Sequence, residues 1–229
     1  GVSFESHYIN LTKFEQHDPE YLKINPAGQV PTLVHDGRVV TESTIINEYI
    51  DRAFAGPALR PSDPYDEAQM RIWTKYVDDV FRPSLSFLAW HALIPGLARS
   101  LPEGEFEQRL ARIPLREKRD KWELAATGGF TQREIAGWKA NLADVTERVE
   151  AALAGHDWLV ADRFTLADIA VFAMGLSMPR SHGDLVNPAK TPNWMAWIER
   201  MKARPGVAAA LAMPNRTNFG AAQPKAAPS

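Results

Sequence analysis

The sequence predicts a small α/β unit followed by an all-helical domain. A hairpin pattern is centred on Asp36-Gly37, whereas the apolar residues after position 65 recur at helical spacing. Between these regions, residues 56–64 include three prolines, which interrupt any helix. We therefore expect the α/β unit in residues 1–55, a linker in 56–64, the helical domain in 65–214, and a disordered tail in the Ala- and Pro-rich residues 215–229.

The α/β unit divides into five predicted elements. Asp18 is a suitable N-cap, and Pro19 fits the first position of a helix because its missing N–H would be unbonded there anyway. Asp36-Gly37 is typical of the two-residue turn that joins hairpin strands. In chain order we expect a strand at 2–9, a short helix at 18–24, hairpin strands at Thr32–His35 and Arg38–Thr41, and a helix at 44–54.

The helical domain is predicted from the spacing of its apolar residues. Residues 65–93 form one long amphipathic pattern that contains Pro83, so we expect a long helix with a kink. Residues 94–130 are polar and irregular, with room for two short helices. Further helices are expected at 131–154, 165–178 and 191–203.

Composition argues against several kinds of partner. The 229 residues are 45% hydrophobic and 24% charged, and the net charge of −2 gives no electrostatic reason to expect nucleic acid or a membrane. No apolar run approaches the roughly 20 residues that a membrane span needs. The basic run from Arg109 to Lys121 is interrupted by Glu117 and Asp120, so we interpret it as a solvated helix.

Missing motifs narrow the chemistry further. The chain has no Cys, so it holds no disulfide and no thiol nucleophile, and a reducing cytoplasm is the expected location. Its six His residues lack metal-ligand spacing, so we expect no metal. Neither a Gly-x-Ser-x-Gly motif nor a Gly-rich phosphate loop is present, which argues against serine hydrolases and nucleotide-binding proteins.

Residues 25–44 carry the strongest binding pattern. Pro31 cannot donate to a strand ladder, and we expect a cis Val30–Pro31 bond with the N–H and C=O of Val30 pointing outward. An extended peptide could bond to both groups. Glu42 and Ser43 precede an apolar helix, where a hydroxyl and free N–H groups bind a carboxylate and a neighbouring carboxylate binds an ammonium. The pair matches the two charges of an α-amino acid.

This pattern of Val-Pro, hairpin and Glu-Ser resembles the glutathione site of the glutathione S-transferase superfamily. The wider sequence at residues 13–17, 24–44 and 59–81 resembles, more narrowly, the bacterial glutathione-dependent β-aryl etherases of lignin-fragment catabolism. The likeness extends to about Met213 and is densest in the first 80 residues.

The resemblance implies a thioredoxin-like N-terminal domain. That fold has our predicted order of elements with one further strand and helix in front, a piece of roughly 20–30 residues. Residues 1–5 stand where the family's second strand begins, so we expect the first strand and helix to be absent from this chain. In the family they carry the Ser, Tyr or Cys that faces the glutathione sulfur. The catalytic residue is thus expected upstream of Gly1, and the chain as it begins here should have little activity.

The resemblance also implies the ligands. Glutathione would be the co-substrate, an aromatic small molecule the second substrate, and a homodimer the assembly. Val30, Pro31, Glu42 and Ser43 would then bind the peptide backbone and the γ-glutamyl end. In theta-like transferases a His at the place of His17 contacts the glycine carboxylate of glutathione. Gln29 is similarly placed just before Val30 and would also bind glutathione.

Two further groups of residues invite a functional interpretation. Thr165 and Asp168 form a capping box, and the family has the same box in the core of its helical domain, so we interpret both as structural. Aromatic residues on the helices could line a substrate pocket, but at helical spacing they are more often core, which we favour for each of Phe87, Trp90, His91 and Trp138.

The expected activity is glutathione-dependent β-aryl ether cleavage. In this reaction the glutathione thiolate attacks the carbon β to an aryl ketone and displaces a phenolate. Other glutathione chemistry on the same site, such as dehalogenation or thioether lysis, is an alternative. A non-enzymatic binding module is another, although a pure scaffold has no need for the paired Glu42 and Ser43.

Overall fold

The α/β unit is built on a two-stranded hairpin. In the computed structural model, which describes residues 2–213, strands β1 (Thr32–His35) and β2 (Arg38–Thr41) pair antiparallel. Asp36 and Gly37 have positive φ angles of 50° and 73°, as a tight two-residue turn requires. Both predicted strands are confirmed to the residue, and the predicted C-terminal tail lies outside the described residues.

Two helices flank the hairpin. Helix α1 (Pro19–Ile24) begins after an extended Asp18, with Pro19 at its first position as predicted. Helix α2 (Ser43–Ala53) begins one residue earlier than expected and packs against both strands. Its Ile46 is buried, whereas Ile45 and Ile50 are exposed.

The strand predicted at residues 2–9 is wrong. Among the described residues β1 and β2 pair only with each other, and a strand without a pairing neighbour leaves its backbone groups unsatisfied. Residues 2–10 have no regular structure, and two 3₁₀ turns follow at Leu11–Lys13 and Glu15–His17. Asn10 begins the first turn, because its Oδ1 accepts the N–H of Thr12 at 3.0 Å.

The helical domain contains nine α-helices within the part of the chain that the structure describes. The two short helices expected in residues 94–130 are present, but the helix before them continues seven residues past Leu93. The helices are α3 (Pro64–Tyr76), α4 (Arg82–Ser100), α5 (Glu105–Ala111), α6 (Arg116–Ala126), α7 (Gln132–Ala152), α8 (Leu166–Gly175), α9 (Met178–Ser181), α10 (Pro192–Lys202) and α11 (Pro205–Leu211).

A π-helical turn at Val77–Phe81 divides the long helix predicted at 65–93 into α3 and α4. Pro83 is the second residue of α4, directly after the π turn, and it has no N–H to donate to the preceding turn. The predicted irregularity near Pro83 is therefore confirmed, but as a π turn ahead of the proline. Such turns are frequent at functional sites, and this one carries Asp78.

Two apolar cores stabilise the chain. The larger lies in the helical domain and includes Trp194, Trp197 and Met201, none of which is exposed. The smaller lies between α4, α5, α6 and the start of α7, and contains Trp122. Phe14, from the α/β unit, is fully buried in this second core. The two predicted parts of the chain are therefore packed into one structure.

Polar contacts fix α2 and the linker against the helical domain. Arg71 of α3 donates to Glu48 of α2 through two nitrogens at 2.9 and 3.2 Å. The carboxylate of Asp51 accepts the N–H of Leu59 at 2.6 Å and Arg60 Nη1 at 3.1 Å, so α2 also anchors the linker. These contacts hold the middle and the end of α2 in place.

Within residues 2–213, no helix has both the length and the apolar character needed to cross a membrane. The same residues contain no group of three or more His, Asp and Glu side chains placed to hold a metal ion.

Candidate functional site

The hairpin brings the predicted binding residues to one end of the α/β unit. Thr32 pairs with Thr41 at the end of the ladder, so Pro31 and Glu42 leave the hairpin side by side. Ser43 then opens α2 directly beside this open end. Strand register thus places the Val-Pro and Glu-Ser pairs together, although ten residues separate them in sequence.

Val30 presents a free peptide backbone. The Val30–Pro31 bond is cis, as predicted. Val30 is exposed, and neither its N–H nor its C=O hydrogen-bonds to another described residue. One donor and one acceptor are therefore available to an extended peptide.

The loop before Val30 is held rigidly. The C=O of Gln29 accepts hydrogen bonds from the Tyr21 hydroxyl at 2.5 Å and from Asn25 Nδ2 at 2.8 Å. Both donors also lie within 3.1 Å of Thr32 Oγ1. The Gln29 side chain forms no hydrogen bond to the rest of residues 2–213, so it is free for a ligand. Tyr21 and Asn25 were not identified from the sequence, because an Asn and a Tyr on a short helix carry no distinctive pattern.

Glu42 adopts a strained backbone conformation at the N-cap of α2. Its φ is +65°, in a region that non-glycine residues seldom occupy and that costs about 1–3 kcal/mol. Its side chain is exposed and has no partner among the described residues. Strain of this kind concentrates at functional sites. Glu42 therefore presents an uncompensated carboxylate at the open end of the hairpin.

Ser43 is the first residue of α2, and its exposed hydroxyl caps no N–H group. The first N–H groups of an α-helix have no partner within the helix, and its dipole favours an anion there. The next residue, Thr44, instead donates its hydroxyl to Asp78 Oδ2 at 2.7 Å. The π turn of the helical domain therefore holds the helix start in place while Ser43 stays available.

His17 lies beside Gly28, at the start of the loop that leads to Val30, and is only 5% exposed. Its ring packs against Phe14, with 5.7 Å between centroids, and against Gly28, where an added Cβ would lie 2.7 Å from His17 Cδ2. Burial, followed by the positive charge of Arg112, lowers the pKa of His17 to about 4, and Asp18 opposes this shift. His17 is therefore neutral at pH 7.

Two buried polar atoms in this region have no hydrogen-bond partner, His17 Nδ1 and Gln16 Oε1. Such atoms are uncommon in native proteins, because an unsatisfied buried group costs about 1–3 kcal/mol.

The aromatic residues considered for a substrate pocket pack on one another. The rings of Phe87 and Trp138 are stacked with 5.1 Å between centroids, and Phe130 meets Trp138 edge-on at 5.0 Å. Trp90 lies 4.8 Å from Trp122, and His91 lies 6.4 Å from Phe130. The other residues belong to or border the second core, and His91 contacts it through Phe130, which agrees with the interpretation as core.

The Thr165–Asp168 pair is structural. It forms a complete capping box at the start of α8, and both residues are fully buried. Asp168 accepts hydrogen bonds from Thr165 N–H and Oγ1, Leu159 N–H and Trp197 Nε1, at 2.9 to 3.2 Å. Burial raises the pKa of Asp168, and these four hydrogen bonds oppose the rise. No local pattern indicates the Trp197 contact, which spans 29 residues.

Comparison with known proteins identifies the family. Residues 1–52 match the family model "Glutathione S-transferase, N-terminal domain", and residues 134–205 match "Glutathione S-transferase, C-terminal domain". Protein LigF of Sphingobium sp. (strain NBRC 103272 / SYK-6) is 41% identical over 213 residues, which cover 90% of this chain and 82% of LigF. The chain belongs to the glutathione S-transferase family. It is an enzyme of this family, with glutathione as co-substrate.

Solved structures and a plant relative agree with this assignment. The crystal structure of β-etherase LigF from Sphingobium sp. strain SYK-6 superposes with a TM-score of 0.87 at 39% identity, covering 92% of this chain and 88% of LigF. Glutathione S-transferase 3 of Zea mays is 29% identical over 210 residues, or 90% of this chain and 80% of the maize protein. The expected fold class, a thioredoxin-like unit followed by a helical domain, is thereby confirmed.

Proposed function

We propose that this transferase cleaves β-aryl ethers. The glutathione thiolate forms a C–S bond to the side-chain carbon next to the carbonyl of an aryl ketone (Cβ, counted from the ring), and the bond from this carbon to the aryl ether oxygen breaks. The electron pair leaves with the phenolate, and a glutathione thioether of the ketone remains. The observation that carries this proposal is the likeness to β-etherase LigF, which spans both domains at 39% identity and a TM-score of 0.87.

Glutathione would lie along the open end of the hairpin. Val30 N–H and C=O would pair with the peptide's central residue, and Pro31 would shape the loop beside it. Glu42 would bind the ammonium of the γ-glutamyl group, and Ser43 with the first N–H groups of α2 would bind its carboxylate. The unpartnered state of these groups within residues 2–213 supports the assignment.

The glycine end of glutathione would reach His17 and Gln29. His17 is neutral at pH 7, so its imidazole would offer a hydrogen bond to the glycine carboxylate without bringing a charge. The free Gln29 side chain supports this placement. Together these residues would fix both ends of the peptide and so hold its thiolate in line with the ether carbon.

Assembly and location are part of the same proposal. We propose a homodimer, supported by apolar side chains that α2 and α3 expose, among them Ile45, Ile50 and Ile72. A cytoplasmic location is supported by a cysteine-free sequence, which suits a reducing compartment.

Phenol release tests the proposed reaction. The full-length protein is incubated with glutathione and a β-aryl ether ketone that carries a fluorogenic phenol, and the Glu42→Gln variant serves as the site control. We expect glutathione-dependent phenol release that falls in the variant. No release from the ether, together with turnover of a halogenated substrate, would instead favour the dehalogenating alternative.

A further inference from the structure

The helical domain contacts the loop that carries His17. We call residues 10–18 the His17 loop. We propose that Arg112, assisted by Arg109, positions His17 for the glycine end of glutathione, so that α5 of the helical domain sets part of the affinity for the peptide. This inference rests on the proposed role of His17 and adds two positioning residues to it.

Phe14 anchors the His17 loop in the second core. Its φ is +61°, unfavourable for an aromatic residue, and its side chain is fully buried. The ring lies 4.8 Å from that of Trp122 and meets Phe106 of α5 edge-on at 6.5 Å. The loop backbone is therefore fixed against α5 and α6 three residues before His17.

Arg109 adds a polar contact to the same anchor. Its Nη1 donates to the C=O of Thr12 at 2.9 Å, and its guanidinium lies 5.7 Å from the centre of the Phe14 ring. An ion pair with Glu105, one turn earlier on α5, orients the guanidinium. The Arg109 side chain is only 16% exposed, so the interpretation of this basic run as solvated is wrong for Arg109.

Arg112 holds the other end of the His17 loop. Its Nη1 donates to Asp18 Oδ1 at 2.8 Å, and Asp18 is the residue directly after His17 and before α1. Arg112 also lies close enough to His17 for its charge to help lower the pKa of that residue. His17 is thus held between two contacts, one from α5 and one from the residue directly after it.

Internal contacts make the His17 loop a stiff connection between these anchors. The N–H of Asn10 donates to Glu15 Oε2 at 2.6 Å, and the N–H of His17 donates to the C=O of Phe14 at 2.9 Å. Gly28 closes the far side of the imidazole. Loss of an anchor should therefore move the imidazole rather than be absorbed by the loop. Loss of preorganisation weakens binding, because the site must then be ordered by the ligand.

A purely structural role for Arg112 predicts a different result. If the arginine only joined two parts of the chain, its removal would affect every ligand of the site alike. If it positions His17, the loss should be confined to peptides that carry the glycine. γ-Glutamylcysteine lacks that glycine and still has the groups proposed to bind Val30, Glu42 and Ser43, so it separates the two roles.

The experiment is calorimetric titration of the full-length protein with glutathione and with γ-glutamylcysteine. The variants are Arg112→Ala, Arg112→Lys and His17→Asn, with Arg116→Ala as matched control. The Arg116 side chain is 86% exposed and, within residues 2–213, pairs only with Asp120 on its own helix. We expect Arg112→Ala to weaken glutathione binding about three- to tenfold, and γ-glutamylcysteine binding less than about twofold. Arg112→Lys should restore most of the loss, and Arg116→Ala should change neither affinity.

The pattern across variants separates this inference from the proposed site. The inference is supported if Arg112→Ala and His17→Asn each weaken the binding of glutathione but not of γ-glutamylcysteine, and if the double variant shows no further loss of affinity. Selective loss in His17→Asn alone overturns the positioning role while leaving the proposed site intact. No selective loss in His17→Asn overturns the proposed role of His17 and this inference with it, and an equal loss of both peptides in Arg112→Ala assigns that residue to structure only.

Discussion

Two helix starts in this molecule combine a hydroxyl with a carboxylate and use them in opposite ways. At the start of α8, Asp168 is buried and accepts four hydrogen bonds, two of them from Thr165. At the start of α2, Glu42 and Ser43 are exposed, and neither side chain bonds to another of the described residues. The same residue chemistry therefore stabilises the fold where the protein satisfies it, and is available for binding where it does not.

Backbone conformation separates the two starts as well. Thr165 has an extended φ of −134°, which any residue adopts, whereas Glu42 has a φ of +65°. A conformation that costs about 1–3 kcal/mol persists only where the surrounding structure enforces it. At Glu42 the hairpin on one side and the Thr44–Asp78 hydrogen bond on the other do so. The strain points the Glu42 carboxylate away from a capping role and leaves it to a ligand.

Replacement of Asp168 should give the largest effect. We expect Asp168→Ala to lower the free energy of unfolding by about 2–4 kcal/mol, because it leaves the buried N–H of Leu159 and the Nε1–H of Trp197 without an acceptor. Urea unfolding measures this loss. Glutathione affinity of the folded fraction should not change. Lost turnover at unchanged stability would instead make Asp168 a catalytic residue and remove the contrast between the two helix starts.

Replacement of Glu42 should give the opposite pattern. Glu42→Gln keeps the size of the side chain and removes the charge that we propose for the ammonium. We expect glutathione affinity to fall by about 1.5–3 kcal/mol, or roughly 10- to 100-fold, with unfolding unchanged. Titration calorimetry measures the loss. Glu20→Gln is the matched control, since Glu20 is exposed on α1 and pairs with no described residue except Lys23. Equal affinities in the two variants would contradict the assignment.

The pH dependence of stability should show that His17 is buried in its neutral form. The unfolded chain takes up a proton on His17 near pH 6.5, whereas the native protein does so only near pH 4. Unfolding therefore binds a proton between these values, so stability is full above pH 6.5 and falls as the pH drops towards 4. We expect a loss of about 2 kcal/mol between pH 6.5 and 5. Urea unfolding of His17→Asn across this range should lack that slope, and an identical slope would place the titration elsewhere.

Local patterns predicted most of the elements and both helix starts. Asp36-Gly37, Asp18-Pro19 and the Thr165 box each specify a structure within four residues, and each structure is present. Asp18 does precede α1 as predicted, but its side chain accepts from Arg112 and caps no N–H of the helix. The Val-Pro and Glu-Ser pairs were also correctly placed together, because a hairpin with a two-residue turn fixes its own register.

Contacts between residues that are distant in sequence could not be predicted from local patterns. Arg109 lies in a basic run whose pattern is typical of a solvated helix. It contacts Thr12, 97 residues away, because Phe14 packs into the second core and brings this loop to α5. Apolar and polar residues alternate at 2–9, as in a strand. A strand also needs a neighbouring strand to pair with, and a local pattern does not reveal one. Whether a hydroxyl and a carboxylate at a helix start are satisfied is decided in the same way, by residues such as Trp197 that are remote in sequence.

Replacement of the two hydroxyls should give the smallest and most discriminating effects. Thr165→Ala removes a buried capping hydroxyl, so we expect unfolding to become easier by about 0.5–2 kcal/mol with glutathione affinity unchanged. Ser43→Ala removes an exposed hydroxyl that caps nothing, at a first helical position where Ala is well tolerated, so stability should stay within about 0.5 kcal/mol.

In binding, Ser43→Ala should weaken glutathione by about 0.5–1.5 kcal/mol, because one hydrogen bond to the γ-glutamyl carboxylate is lost while the N–H groups of α2 remain. Urea unfolding and titration calorimetry give the free energy of unfolding and the glutathione affinity of each variant. If Ser43→Ala destabilises the fold as much as Thr165→Ala and leaves glutathione affinity unchanged, Ser43 is a helix cap. The start of α2 would then serve stability as the start of α8 does, and the binding role would rest on Glu42 and the free N–H groups alone.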